Sequence, residues 1–241
     1  MKTLITAIVL VTTALAAQAH HVWLEQDAQG ATLYFGEFGG NLREASPGLL
    51  DKFPGPVARR LGAQGESAVA VSKTPNGFAI NTRAAAGESL VAEERSYPTS
   101  ERKVADKTQR SIYVPAARLA GDLSAHKPVL TLDLVPTGTK TGDAIEFQAF
   151  YKGQPLPKTK VEVTTPSGWA QTHHTDANGK FSTTLPWSGP YVLELAHQDA
   201  TPGERSATDK YDRASYVTSL TVYQSTGIAP LPAPPAAAPN K

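Results

Sequence analysis

Gln171-Thr172-His173-His174-Thr175-Asp176-Ala177-Asn178-Gly179-Lys180-Phe181-Ser182-Thr183-Thr184-Leu185 is the stretch that decides the fold. Asp176, Asn178 and Gly179 carry turn chemistry: a carboxylate that bonds backbone N–H groups just ahead of it, and residues that tolerate left-handed backbone. The turn is flanked by β-prone runs at 169–175 and 181–185. The stretch therefore predicts a β-hairpin.

Working outward, the same pattern repeats. Residues 129–134 and 144–151 read as strands joined through the turn at 137–143, and 159–164 alternates in period two before the turn Pro166-Ser167-Gly168. Residues 191–196 and 216–223 bring the total to about seven short strands, the spacing of an immunoglobulin-like sandwich over 128–223. Upstream, 20–124 reads as a second β-rich domain, with strands at 22–24, 31–35, 67–73, 78–82, 89–94 and 111–117. Ser46-Pro47 opens a short helix presenting Leu49, Leu50 and Phe53, which Pro54 and Pro56 cut off. The charged segment 93–110 reads as a solvated loop, 121–128 as a linker, and the Pro/Ala-rich residues 224–241 as a disordered tail. The expected fold class is mostly β, with two β domains.

The first residues set the compartment. Lys2 supplies a positive start, 4–15 an apolar stretch broken by threonines, and Ala17-Gln18-Ala19 a small-x-small triplet suited to signal peptidase. Residues 1–19 read as a signal peptide for export to the periplasm, too short and interrupted to span a bilayer. Cysteine is absent, which excludes thiolate metal sites, thiol catalysis and a lipoprotein anchor. A formal charge of +1 with no basic cluster argues against nucleic acid as a partner.

Cleavage after Ala19 exposes His20, with an amine of pKa near ~8 beside an imidazole. The two can chelate one metal ion without help from the fold. Cleavage after Ala17 would instead put histidine third, a different chelate that uses backbone nitrogens. His20 is thus the first candidate ligand, followed by His197 near Asp199, His21, and His126 in the linker. His20 and His21 point to opposite faces if they start a strand, and so do His173 and His174, so neither pair converges on one ion. Nitrogen donors suit Ni(II), Co(II), Cu(II) and Zn(II) alike.

No Gly-x-Ser-x-Gly elbow and no spacing that selects a triad is present, so no catalysis is expected. Trp23, Trp169 and Trp187 read as core anchors in preference to a carbohydrate platform.

Several motifs carry a resemblance. Asp133-Leu134-Val135-Pro136, Thr141-Gly142-Asp143, Tyr151-Lys152-Gly153-Gln154-Pro155-Leu156, Ser167-Gly168-Trp169-Ala170, Leu185-Pro186-Trp187-Ser188-Gly189-Pro190-Tyr191 and the opening Ala19-His20-His21-Val22-Trp23-Leu24 resemble a bacterial periplasmic family of uncharacterised domains. That family is often labelled a periplasmic component of nickel or cobalt uptake. The hairpin is also similar to carboxypeptidase-regulatory-like modules, which are sandwiches without catalysis. The resemblance implies binding of nickel, cobalt or copper and delivery to a membrane metal transporter, with histidines near His20 and His197 as ligands. The alternative is an envelope interaction or accessory sandwich that binds no metal.

Overall fold

The computed structural model describes residues 20–240. The signal-peptide reading falls on 1–19, outside the described residues. From His21 onward the chain is built almost wholly of strands: β1 (His21–Gln26), β2 (Ala31–Glu37), β3 (Leu42–Arg43), β4 (Val57–Gly62), β5 (Gly65–Val69), β6 (Val71–Thr74) and β7 (Gly77–Ile80). They are followed by β8 (Ser89–Glu93), β9 (Ser100–Val104), β10 (Lys107–Ala120), β11 (Leu132–Thr141), β12 (Ala144–Tyr151), β13 (Gln154–Pro155) and β14 (Lys160–Thr164). The last six are β15 (Ala170–His174), β16 (Lys180–Thr184), β17 (Gly189–Asp199), β18 (Gly203–Ser206), β19 (Asp209–Tyr211) and β20 (Arg213–Gln224). The short helix expected after Ser46-Pro47 is a single 3₁₀ turn at Leu49–Lys52. Among the described residues no helix is long and apolar enough to cross a membrane.

A central sheet runs β15-β14-β17-β20-β10-β8-β4-β5 and crosses the linker boundary expected from the sequence. The join is β10 against β20, paired in parallel from Ser111↔Arg213 to Leu119↔Thr221. Alternation along these strands sends successive side chains to opposite faces. One face carries Ile112, Val114, Leu193, Tyr216 and Leu220, which pack with Leu134, Phe147 and Phe181 of the sheet formed by β11, β12, β13 and β16. The other face carries Ala117 and Leu119, packed with Val22, Leu24, Leu33 and Phe35 of the sheet formed by β1, β2, β3, β6 and β7. The molecule is therefore a layered β-sandwich in which two outer sheets cover opposite faces of one shared sheet.

The turn at Asp176–Gly179 forms, but its strands part company. Asp176 Oδ1 accepts the N–H groups of Asn178 and Lys180, both at 2.8 Å, and Gly179 takes φ +73°. The strand before it, β15, pairs with β14, whereas the strand after it, β16, pairs with β12 in the opposite layer. The expected hairpin is a crossover between sheets. Phe181 explains this: it enters the core between the layers beside Phe147, 5.5 Å away, and β16 must leave the edge of the central sheet to put it there.

Two further expectations are corrected. Residues 93–110 are solvated for most of their length, as expected, but they are not a loop: after the buried Glu93 and Glu94, β9 pairs with the start of β10 in an exposed hairpin. Glu93 and Glu94 are buried because they are answered. Glu94 accepts the N–H groups of Gly55 (2.9 Å) and Ser96 (2.6 Å), and Glu93 pairs with Arg95. Residues 225–240, expected to be disordered, run back along the molecule. Ile228 N–H bonds Pro186 O, Asn41 Nδ2 bonds Pro234 O, and Ala237 N–H bonds Asn41 O. A Pro/Ala segment cannot build an element of its own, yet its few N–H groups and free carbonyls can be met by the strands it passes.

The crossing from β10 to β11 is fastened by a buried ion pair. Arg118 and Asp133 are 1% and 0% exposed, and the guanidinium grips both carboxylate oxygens, Nε to Oδ1 at 3.0 Å and Nη2 to Oδ2 at 2.6 Å. Asp133 also accepts the N–H groups of Val129, Leu130 and Leu134, and Arg118 donates to Lys127 O. Removing one partner strands a buried charge. Arg118→Met is expected to cost about 3–5 kcal/mol of stability, measured by chemical denaturation.

Candidate metal centre

His20 stands just ahead of β1, with Phe35 beside its ring at 5.2 Å between centroids. Its carbonyl accepts the Tyr113 hydroxyl at 2.8 Å, so the residue is pinned at its backbone. Its Nε2 lies 2.5 Å from Oε1 of Glu44, a carboxylate fully buried at the end of β3. Glu44 also accepts from Asn240, side-chain Nδ2 to Oε1 at 2.6 Å and backbone N to Oε2 at 3.0 Å. One buried carboxylate thus gathers both ends of the described chain. With Nε2 turned to Glu44, the ring nitrogen left for any other partner is Nδ1, the one on the side of the residue's own backbone nitrogen.

His21, the first residue of β1, points the other way, as strand alternation requires. Its Nδ1 is 2.8 Å from Glu194 Oε2, while Nε2 is buried with no hydrogen-bond partner among the described residues.

His197 does not join His20. It lies within β17, not on a loop, and its ring packs on Tyr151 with centroids 4.2 Å apart. It is three residues from Glu194, so it occupies the opposite face of that strand from His21's partner. Asp199 is committed elsewhere. It accepts the Tyr151 hydroxyl at 2.5 Å, Lys152 Nζ at 3.0 Å and Thr201 N–H at 2.8 Å. These bonds hold the Asp199 carboxyl well below its usual range, the Tyr151 bond first. Burial, then Asp199, pushes the Tyr151 phenol up, and Tyr151 and Asp199 together push the Lys152 ammonium up. This cluster was not singled out from the sequence, although Tyr151-Lys152 lies in one of the family-like motifs.

His126 is buried in the crossing between β10 and β11. Its Nδ1 is 3.1 Å from Ser89 Oγ and its Nε2 3.5 Å from Asp122 Oδ1. His173 stacks on Phe181 and His174 is exposed, the alternation expected of that pair. Among the described residues no three His, Asp or Glu side chains come together in a group that could hold a metal ion. The structure therefore brings His20 to a carboxylate and not to a second imidazole. Trp23 is wholly buried beside Phe38 and Val192, and Trp169 and Trp187 pack edge to face against the core.

The fold and site define a layered all-β protein in which His20, at the start of the described residues, is held by the buried carboxylate of Glu44. The family model of DUF4198, a domain of unknown function, matches residues 60–199, more than half of the sequence, and the chain belongs to that family. No curated protein matches it.

Three of the histidines share an electrostatic consequence. Burial lowers the pKa of His126, with Arg118 adding to the effect and Asp122 opposing it, and burial lowers His173 and His197 as well. The folded state then binds protons less readily than the unfolded one. Stability from these groups is complete above the unfolded value near ~6.5 and is lost as pH falls toward the folded values. Denaturation midpoints are expected to drop between neutral and mildly acidic pH, and the drop is expected to be smaller in His126→Asn.

Proposed function

We propose that this is an exported protein that binds a divalent transition metal, nickel, cobalt or copper, through His20 and passes it to a membrane uptake system in the periplasm. The observation that carries this reading is the bond from His20 Nε2 to the buried carboxylate of Glu44. A metal-binding histidine commonly gives its second nitrogen to a carboxylate, which fixes the tautomer and makes the other nitrogen a better donor. Here that other nitrogen is Nδ1. With signal cleavage after Ala19 the free amine of the same residue joins it in one chelate ring. Two nitrogens leave the remaining coordination positions open. That suits an ion in transit, because structural sites close all positions with protein donors. His21, His126 and His197 fall outside this chelate, each having its own partner.

A second reading has its own support. Asn240 binds both oxygens of Glu44, so the same residues can be read as a clasp that fastens the two ends of an accessory sandwich carrying no metal. In either case we read the C-terminal half as immunoglobulin-like. Tyr191 supports this: its hydroxyl accepts Trp187 N–H at 2.7 Å and donates to Trp187 O at 3.1 Å, the backbone-directed tyrosine found at a corner of such sandwiches.

Calorimetric titration with Ni(II), Co(II) and Cu(II) separates the two readings. The exported protein beginning at His20 is expected to bind one ion. A form with one extra residue ahead of His20 and the variant His20→Ala are expected to lose binding, and Glu44→Gln to weaken it about 10–100-fold. If all forms bind alike, or none binds while His20→Ala lowers the melting temperature, the clasp stands and the metal reading falls.

A further inference from the structure

Residues 225–240 leave the end of β20 and run to Glu44 and His20, fastened at both ends. The near end is held by the turn before β17. Ile228 N–H bonds Pro186 O and Ile228 O accepts Ser188 N–H, both at 2.9 Å. Gly227 takes φ +138°, and a β-carbon there would lie 2.5 Å from Pro186 O, so glycine is what lets the chain lie this close. The far end is fastened by Asn41 Nδ2 to Pro234 O at 2.8 Å, Ala237 N–H to Asn41 O at 3.1 Å, and the two bonds from Asn240 to Glu44. Between the ends, residues 229–233 make no backbone hydrogen bond among the described residues.

The two sides of the far contact are unequal. Glu44 is fully buried, whereas every residue from 225 to 240 except Pro234 is exposed, Ile228 at 64% and Leu231 at 56%. Pro230, Pro232, Pro234, Pro235 and Pro239 have no N–H to bond, and they keep the segment extended whether or not it is docked. Docking therefore covers little apolar surface and orders a chain that is already stiff. Segments with few buried apolar contacts and solvent-exposed hydrogen bonds open at the lowest free energies in a fold.

Opening matters most at Glu44. Asn240 supplies two of the bonds that this carboxylate accepts, and its Nδ2 also lies 3.1 Å from His20 Nε2. With the segment docked, Glu44 is dry and its charge acts on the imidazole through a medium of low dielectric. With it lifted, water reaches the carboxylate, screens that charge and competes for the bond that orients the ring.

We infer that residues 225–240 are a strap that lifts at its far end, about the anchor at Gly227 and Ile228, and so regulates how firmly His20 holds an ion. Closed, the strap retains the ion; open, it lets the ion go. The inference rests on the metal reading of His20 and adds the change of state that handover requires. Coupling is reciprocal: an ion that prefers the closed strap favours closure by the same factor. Two substitutions loosen the strap while leaving His20 and Glu44 in place. Asn240→Ala removes the side-chain bond to Glu44, and Asn41→Gly removes the bond to Pro234 at a position whose φ of +48° glycine adopts freely.

The test is amide hydrogen exchange read by NMR on the exported protein beginning at His20, with and without Ni(II), beside calorimetric titration of the same forms. Without metal, Ala237 and Asn240 are expected to exchange together, about 100-fold or more faster than the amides of β20. Ni(II) is expected to slow both about tenfold, and Asn240→Ala to weaken Ni(II) binding by a similar factor. Asn41→Gly is expected to speed exchange at Asn240 and to weaken Ni(II) binding in the same direction. Exchange of Ala237 as slow as that of β20 would overturn the inference, since nothing then lifts. So would Ni(II) binding that leaves Ala237 exchange unchanged, or equal affinity in both variants and the parent; in each of these cases the metal reading survives. If Ni(II) does not bind the parent chain, the metal reading falls and the regulatory role falls with it, even where fast exchange at Ala237 shows that the strap moves.

Discussion

The parallel pairing of β10 with β20 is the constraint on which the structure depends. The two strands are about a hundred residues apart in sequence, yet nine consecutive residue pairs join them. With β20 held between β10 and β17, each half of the chain adds its own outer sheet to one shared sheet, on opposite faces. Both faces of β20 are then covered, and its composition reflects that. Large apolar residues such as Tyr216, Leu220 and Val222 fill one side. The small hydroxyl residues Ser219 and Thr221 fill the other, where the backbone of β1 crosses closely enough for Ser219 Oγ to donate to Val22 O at 2.6 Å. A leucine at 219 would push β1 away and leave that carbonyl without its partner.

The position of β1 decides the chemistry at its start. Pinned at Val22 by Ser219 and at His20 by Tyr113, the strand has no freedom to turn. Period-two alternation then gives His20 and His21 different neighbours: Glu44 and the returning tail for one, Glu194 for the other. The strand gives one dipeptide two separate environments, each histidine meeting a carboxylate from a different part of the chain.

Local features of the fold were legible in the sequence because they have local causes. Asp176 and Gly179 announce their turn through side-chain bonding and backbone freedom, and Thr74-Pro75-Asn76-Gly77 announces the hairpin of β6 and β7 in the same way. The separation of His20 from His21 and of His173 from His174 follows from strand periodicity alone. Strand partners were not legible, because a turn fixes where the chain reverses and not which neighbour its strands will bond. Hence β15 and β16 leave one turn for different layers. Glu44, Glu94 and Asp133 were invisible as buried groups for a related reason. A carboxylate is buried only when donors reach it from elsewhere, and those donors, Asn240, Gly55 and Arg118, lie 15 to 196 residues away. His197 was placed with His20 by resemblance and proximity to Asp199, but Tyr151 and Lys152 reach that carboxylate first.

Glu44 sets the terms on which clasp and chelate can coexist. A buried carboxylate has room for about four hydrogen bonds, and here His20 and Asn240 supply three. The group is therefore nearly satisfied without any ion, and an ion that bonded Glu44 directly would have to displace one of these partners. An ion held by the amine and Nδ1 displaces none of them. It uses a nitrogen that the clasp leaves idle, and the negative carboxylate behind the ring strengthens that nitrogen as a donor. The clasp and the chelate are thus compatible on one histidine, and the clasp orders the ring that the chelate needs. What separates them is whether the first nitrogen of His20 is a free amine or a peptide N–H, since only the amine has a lone pair to give.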